Sequence, residues 1–150
     1  MNLDGPRCEV MEFFDVLVRY EVVLWNTVDA ELRGRGEVGL ATLHALRVLD
    51  RHGGGARVQD LSDDIGITVG AASKFVDRLE RDGLASRRPN PANRRSSLLA
   101  LTEAGQAALS AASEVCGDAV ARALGDEDVS GLTAALRRLE ARVAGTEVAA

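Results

Sequence analysis

Three residues, Gly66-Ile67-Thr68, separate two amphipathic patterns so closely that the second must turn across the first. The first pattern, Val58 to Ile65, places Val58, Leu61 and Ile65 at 3,4 spacing, which is one face of a helix. Gly66 can take the positive φ that stops that helix. Thr68 can then cap a second helix, whose pattern runs from Val69 to Asp82 and ends at Gly83. Two helices joined this tightly form a helix-turn-helix, a geometry in which the second helix fits the major groove of DNA.

The residues after the second helix strengthen that expectation. Leu84 to Arg88 and Ser97 to Leu101 read as short strands around Pro89-Asn90-Pro91-Ala92-Asn93-Arg94-Arg95-Ser96. Two prolines and two asparagines exclude helix there and suit an exposed hairpin tip, placed as a wing. The net charge of −5 argues against a nucleic-acid partner until it is partitioned. Residues 67–97 carry seven basic side chains against three acids, a local +4 that leaves the remainder at −9. An acidic body with one basic face allows local phosphate contact and repels DNA elsewhere. Small residues at Gly70, Ala71 and Ala72 let the helix backbone approach base edges, or serve packing alone. Thr68, Ser73, Lys74 and Arg78 are then the side chains expected at the groove, while Arg87, Arg94 and Arg95 would meet phosphates or the adjacent minor groove. Val69, Phe75, Val76 and Leu79 are assigned to the core.

The flanking sequence is helical. Residues 9–33 place Val10, Phe13, Phe14, Leu17, Leu24, Val28 and Leu32 near one face, and 40–52 turn four leucines inward before Gly53-Gly54-Gly55, read as a flexible joint. Residues 103–124 and 128–144 add two more helices, divided at Gly125. With three Phe, one Tyr and one Trp, the core must be Leu, Val and Ala, which favours closely packed helices. The expected fold class is mainly α with a small β-hairpin wing: a winged helix-turn-helix lobe at 40–102 within one domain spanning 1–150, plus a helical dimerisation stalk from 9–33 and 103–144. A two-fold homodimer would present two reading helices to a near-palindromic operator in double-stranded DNA. No run of 18 apolar residues and no basic-then-apolar start are present, so a soluble cytoplasmic protein without membrane contact is expected.

Catalysis has little to work with. His44 and His52 are the only imidazoles, and there is no nucleophile elbow, H-E-x-x-H or phosphate loop. Cys8 and Cys116 lie far apart without metal-ligand spacing, so neither a metal nor a cofactor is expected.

The chain resembles the MarR family of winged-helix regulators along nearly its whole length. The resemblance is carried by Leu61-Ser62-Asp63-Asp64-Ile65-Gly66, by the segment Val76 to Leu84, and by Asn93-Arg94-Arg95-Ser96 before Leu101-Thr102-Glu103-Ala104-Gly105. Asn93 stands where the family usually has Asp beside the wing arginine, and the lost charge predicts a less rigid wing. Residues 24–32, Ile67 to Lys74, and the wing phrases Arg87-Arg88-Pro89-Asn90-Pro91 and Arg94-Arg95-Ser96-Ser97 are also similar to the urate-responsive branch. That resemblance implies a repressor released by a small planar anion, urate or a related purine. Trp25, Asp77 and Arg94 would shape the pocket, with Arg122 as a further arginine. Asp77 would face an arginine for which the ligand competes, moving the reading helix. The plainer alternatives are stalk packing for Trp25 and a surface pair with Lys74 for Asp77. Two other readings stay open: another aromatic or antibiotic ligand, and a thiol-based redox sensor using Cys8, with Arg7 beside it and Tyr20 as a possible partner.

Overall fold

The computed structural model describes residues 6–93 and 95–147. The chain runs α1 (Pro6–Gly34), α2 (Leu40–Arg51), α3 (Val58–Ile65), α4 (Val69–Arg81), β1 (Ala85–Pro89), β2 (Ser97–Leu101), α5 (Glu103–Leu124) and α6 (Val129–Glu147). The strands pair antiparallel, with Ala85 opposite Leu101 and Pro89 opposite Ser97. This is the mainly helical architecture with one hairpin that the periodicity predicts.

The α3–α4 turn forms as its residues dictate. Gly66 takes φ +73°, and its N–H and that of Ile67 donate to the Ser62 carbonyl at 2.9 and 3.1 Å. Ser62 is the buried polar residue of the core, and its hydroxyl donates to the Ile67 carbonyl at 2.6 Å, so the turn is pinned from inside. Thr68 caps α4 by accepting the Ala71 N–H at 3.2 Å.

The core centres on α2, which buries Leu43, Ala45, Leu46, Val48 and Leu49 against α3, α5 and β2. Its N-terminus is capped from another helix. Gly39 has no side chain to offer, and Asp29 of α1 accepts the Leu40 N–H at 2.7 Å while its other oxygen accepts from Arg33 at 2.7 Å. Arg33 and the Leu40 N–H hold the Asp29 carboxyl below its ordinary range. The far end of the lobe is fastened at Thr102. Its N–H donates to the Leu84 carbonyl, its hydroxyl donates to Gly83, and the same oxygen accepts the Gly105 N–H. Leu84 is drawn into this junction, so β1 begins at Ala85, one residue later than the sequence predicts. Gly105 is required here because a Cβ would lie 1.9 Å from the Leu84 oxygen.

Two expectations need correction. Gly53-Gly54-Gly55 is a pinned turn and not a free joint: Arg88 donates to the Gly54 carbonyl at 2.7 Å, and Ala56 bridges to Leu99 beside it. The predicted α1 face divides in two. Val28 and Leu32 are buried and Leu24 packs beside them, whereas Val10, Phe13, Phe14 and Leu17 are exposed. The α6 stripe of Val129, Leu132, Leu136, Leu139 and Val143 is exposed as well, because no element of the described chain packs along it. Among the described residues no helix is long and apolar enough to cross a membrane.

Candidate nucleic-acid interface and the adjoining slot

Helix α4 buries Ala72, Val76 and Leu79 and turns the opposite side to solvent. On that open side lie Gly70, Ala71, Lys74 and Arg78, with Ser73 half-buried at the edge. The Arg78 guanidinium stands 4.3 Å over the Phe75 ring, which fixes its direction without neutralising it. Phe75 is half-buried, as a partial core residue. Val69 departs from its core assignment: it is 47% exposed, because nothing covers the first turn of α4. Sequence periodicity alone assigns Val69 inward, because it marks a face and not what covers it. Thr68 sits at the same end of the helix, its oxygen already occupied by the cap.

Arg87 is placed differently from its expected phosphate role. Its guanidinium donates to Asp77 at 2.8 Å and sits 2.9 Å from Glu80, and its backbone N–H donates to Glu80 at 3.0 Å. Both acids belong to α4 and Arg87 to β1, so the residue latches the reading helix to the hairpin. Asp77 thus faces an arginine, Arg87, away from the slot lined by Trp25, and does not pair with Lys74.

The hairpin tip is ordered by its asparagines. Asn90 accepts the Ala92 N–H and donates to Ser96, and Asn93 accepts the Arg95 N–H, both backbone bonds at 3.0 Å. Asn93 therefore shapes the tip through an acceptor oxygen. Arg95 is exposed there. Arg94, expected at both the DNA face and the ligand pocket, lies outside the described residues.

Trp25 lines a small apolar slot of about 160 Å³ between α1, α2 and α5, walled by Leu24, Val28, Leu40, Cys116 and Val120, with Glu21 at its rim. Asp77 does not line it, and neither does Arg122, which pairs with Glu31 across α1 and α5. Arg122 accordingly holds the Glu31 carboxyl below its usual range. The expected trio of Trp25, Asp77 and an arginine is therefore not assembled within the chain. Cys8 is exposed at the start of α1, and no three His, Cys, Asp or Glu side chains among the described residues group as metal ligands.

The MarR family model matches residues 40–97, which span α2 to the start of β2. That segment is similar to a MarR-type winged helix. Members of the MarR family are transcription regulators rather than enzymes. Solved structures extend the likeness to nearly the whole chain. The transcriptional regulator BldR from Sulfolobus solfataricus is 21% identical with a TM-score of 0.82, covering 92% of this chain and 99% of that one. A mutant MarR from E. coli complexed with operator DNA is 20% identical with a TM-score of 0.75, over 91% of this chain and 99% of that one. CouR from Rhodococcus jostii RHA1, bound to p-coumaroyl-CoA, is 22% identical with a TM-score of 0.74, over 83% and 87%. At these identities the likeness establishes the MarR winged-helix fold. No curated protein matches the chain in sequence.

Proposed function

We propose that the chain is a homodimeric, ligand-responsive transcriptional regulator that binds double-stranded DNA through α4 and the β1–β2 hairpin. The observation that carries this reading is the Arg87 latch. It sets a capped reading helix and a basic hairpin at a fixed relative position while Lys74 and Arg78 stay directed at solvent. Lys74, Arg78, Ser73 and Val69 would face base edges, and Arg94 and Arg95 would straddle the neighbouring phosphates. The structural likeness to an operator-bound MarR supports this docking mode.

Dimerisation is supported by the apolar faces that the chain leaves open. Phe13 and Phe14 on α1 are 55% and 56% exposed, and Leu132, Leu136 and Leu139 on α6 are 40–50% exposed. Exposed apolar stripes of this kind mark an interface, and a second copy of the same helices would cover them while spacing two reading helices.

The ligand reading is an aromatic group entering the slot beside Trp25. A small planar anion such as urate keeps the support of Trp25 itself, but not of Asp77, which is latched to Arg87. The apolar walls favour the broader aromatic class, and p-coumaroyl-CoA in CouR is one aromatic ligand carried by a protein of this fold. The test is a fluorescence titration of a labelled duplex enriched from a random pool. Binding should weaken strongly in Lys74→Ala and Arg78→Ala with folding intact, and unchanged binding in both would remove the assignment.

A further inference from the structure

A hollow of about 440 Å³ opens at the root of the hairpin, with no lining residue from α4 and none in common with the Trp25 slot. That volume suits a small molecule. Four parts of the chain meet around it: the end of α2 with Leu49 and Asp50, the Gly53-Gly54 turn, the paired strands with Arg88 and Leu101, and the start of α5 with Gln106. The turn leaves the space open because it carries no side chains. A Cβ on Gly54 would lie 2.6 Å from the Arg88 guanidinium.

Two opposite charges line this space without meeting. Asp50 stands in the last turn of α2, where the helix dipole disfavours a negative charge, and its carboxylate has no hydrogen bond or ion pair among the described residues. Arg51, the next residue, pairs with Asp64 at 3.0 Å instead. Arg88 donates one N–H to the Gly54 carbonyl at 2.7 Å, which fixes the guanidinium beside the turn and leaves its other donors open. The Gln106 amide makes no side-chain hydrogen bond among the described residues. All three are exposed, so a ligand reaches them without opening the fold, while buried Leu49 and half-buried Leu101 supply apolar wall.

We infer that this hollow binds a small zwitterion, an α-amino acid with an apolar side chain. Its ammonium sits on Asp50, its carboxylate on Arg88 with the Gln106 amide, and its side chain against Leu49 and Leu101. A molecule with one charge satisfies one of the two groups and meets the like charge of the other. Once bound, the zwitterion ties α2 and α5 to the hairpin whose other face Arg87 latches to α4. Holding the hairpin at that spacing favours DNA binding, and by linkage DNA and zwitterion strengthen each other. This coupling, unlike the site itself, rests on the reading of the chain as a DNA-binding regulator.

The site is tested by amide NMR of the full chain, titrated with leucine, with isocaproate, which lacks the ammonium, and with leucinamide, which lacks the carboxylate. The Gly53 and Gly54 signals should move, and leucine should bind roughly tenfold tighter than either analogue, as for one charged hydrogen bond each. Asp50→Asn should erase the advantage over isocaproate with no loss of melting temperature, since the Asp50 side chain holds nothing in the fold. Arg88→Gln should erase the advantage over leucinamide; if losing the Gly54 contact lowers its melting temperature, Asp50→Asn alone decides. Absence of binding, equal affinity for the three ligands, shifts that spare the glycine turn, or wild-type leucine binding by Asp50→Asn overturns the site. DNA binding measured without ligand separates the two readings: its persistence beside a failed titration leaves the regulator standing, and its loss beside a successful one overturns the regulator and leaves the site. Leucine should tighten duplex binding several-fold in fluorescence anisotropy, and an unchanged affinity at saturating leucine overturns the coupling.

Discussion

Replacing Arg87 by alanine separates two roles that a positive charge near DNA leaves equivalent. As a latch, Arg87 works inside the protein: it bridges β1 to Asp77 at 2.8 Å and to Glu80 at 2.9 Å on α4. The Asp77 side chain is 60% exposed, so its pair contributes about 0.5 kcal/mol or less after solvent screening. Glu80 is 30% exposed and also accepts the Arg87 N–H, so that pair contributes about 1 kcal/mol. Arg87→Ala should therefore cost roughly 1–1.5 kcal/mol of stability, a fall in melting temperature of about 3–5 °C for a chain of this length. A double-mutant cycle with Glu80→Gln should return a coupling of about 0.5–1 kcal/mol. DNA affinity should fall several-fold because helix and hairpin lose their fixed spacing, yet the salt dependence should not change, since no phosphate contact is removed. Fluorescence anisotropy of a labelled duplex across a salt series decides this, with Arg95→Ala as the comparison expected to flatten the slope by about one unit. An Arg87→Ala protein with an unchanged melting temperature and a slope lowered by about one would refute the latch and restore Arg87 as a phosphate ligand.

Three further outcomes are expected from the same geometry. Gly105→Ala should destabilise the lobe by several kcal/mol or prevent folding, because the new Cβ meets the Leu84 carbonyl at 1.9 Å; thermal melts beside Gly117→Ala, where nothing lies within 4 Å, check it. Asp29→Ala should lose about 1 kcal/mol through the missing cap on α2. Because the folded Asp29 carboxyl titrates below its ordinary 3.8, its stabilisation is complete above that pH and is lost as pH falls through the lowered value, so Asp29→Asn should flatten the acid limb of a pH–stability curve below 3.8. Leu136→Glu on the open α6 stripe should yield monomers in sedimentation velocity at micromolar concentration, and an unchanged dimer would displace α6 from the interface.

What the sequence discloses depends on how local each determinant is. The α3–α4 turn is legible because Gly66, Thr68 and the 3,4 spacing act within a few residues. Helix ends at Gly83 and Gly125 are legible for the same reason, both being positive-φ positions. The Arg87 latch is not, because its partners lie on another element and only the strand's placement brings them within reach; a charge count reads Arg87 as one more cation. Val69 is misassigned by periodicity, which marks a face and is silent on whether another element covers it. The same ambiguity makes Phe13 and Phe14 look like core residues, although within the chain they face solvent. Resemblance joins Trp25 to Asp77, and the structure sets them at separate places, one in a slot and one in the latch.

The central claim is that α4 and the hairpin, in two copies, read DNA. Selection from a random duplex pool followed by footprinting of the enriched sequence tests it most directly. The account predicts a near-palindrome with half-sites about 10–10.5 base pairs apart, or a multiple of that spacing, whose protection disappears in a Lys74→Ala, Arg78→Ala double variant that remains folded. No enriched sequence, or full protection by that double variant, would contradict it.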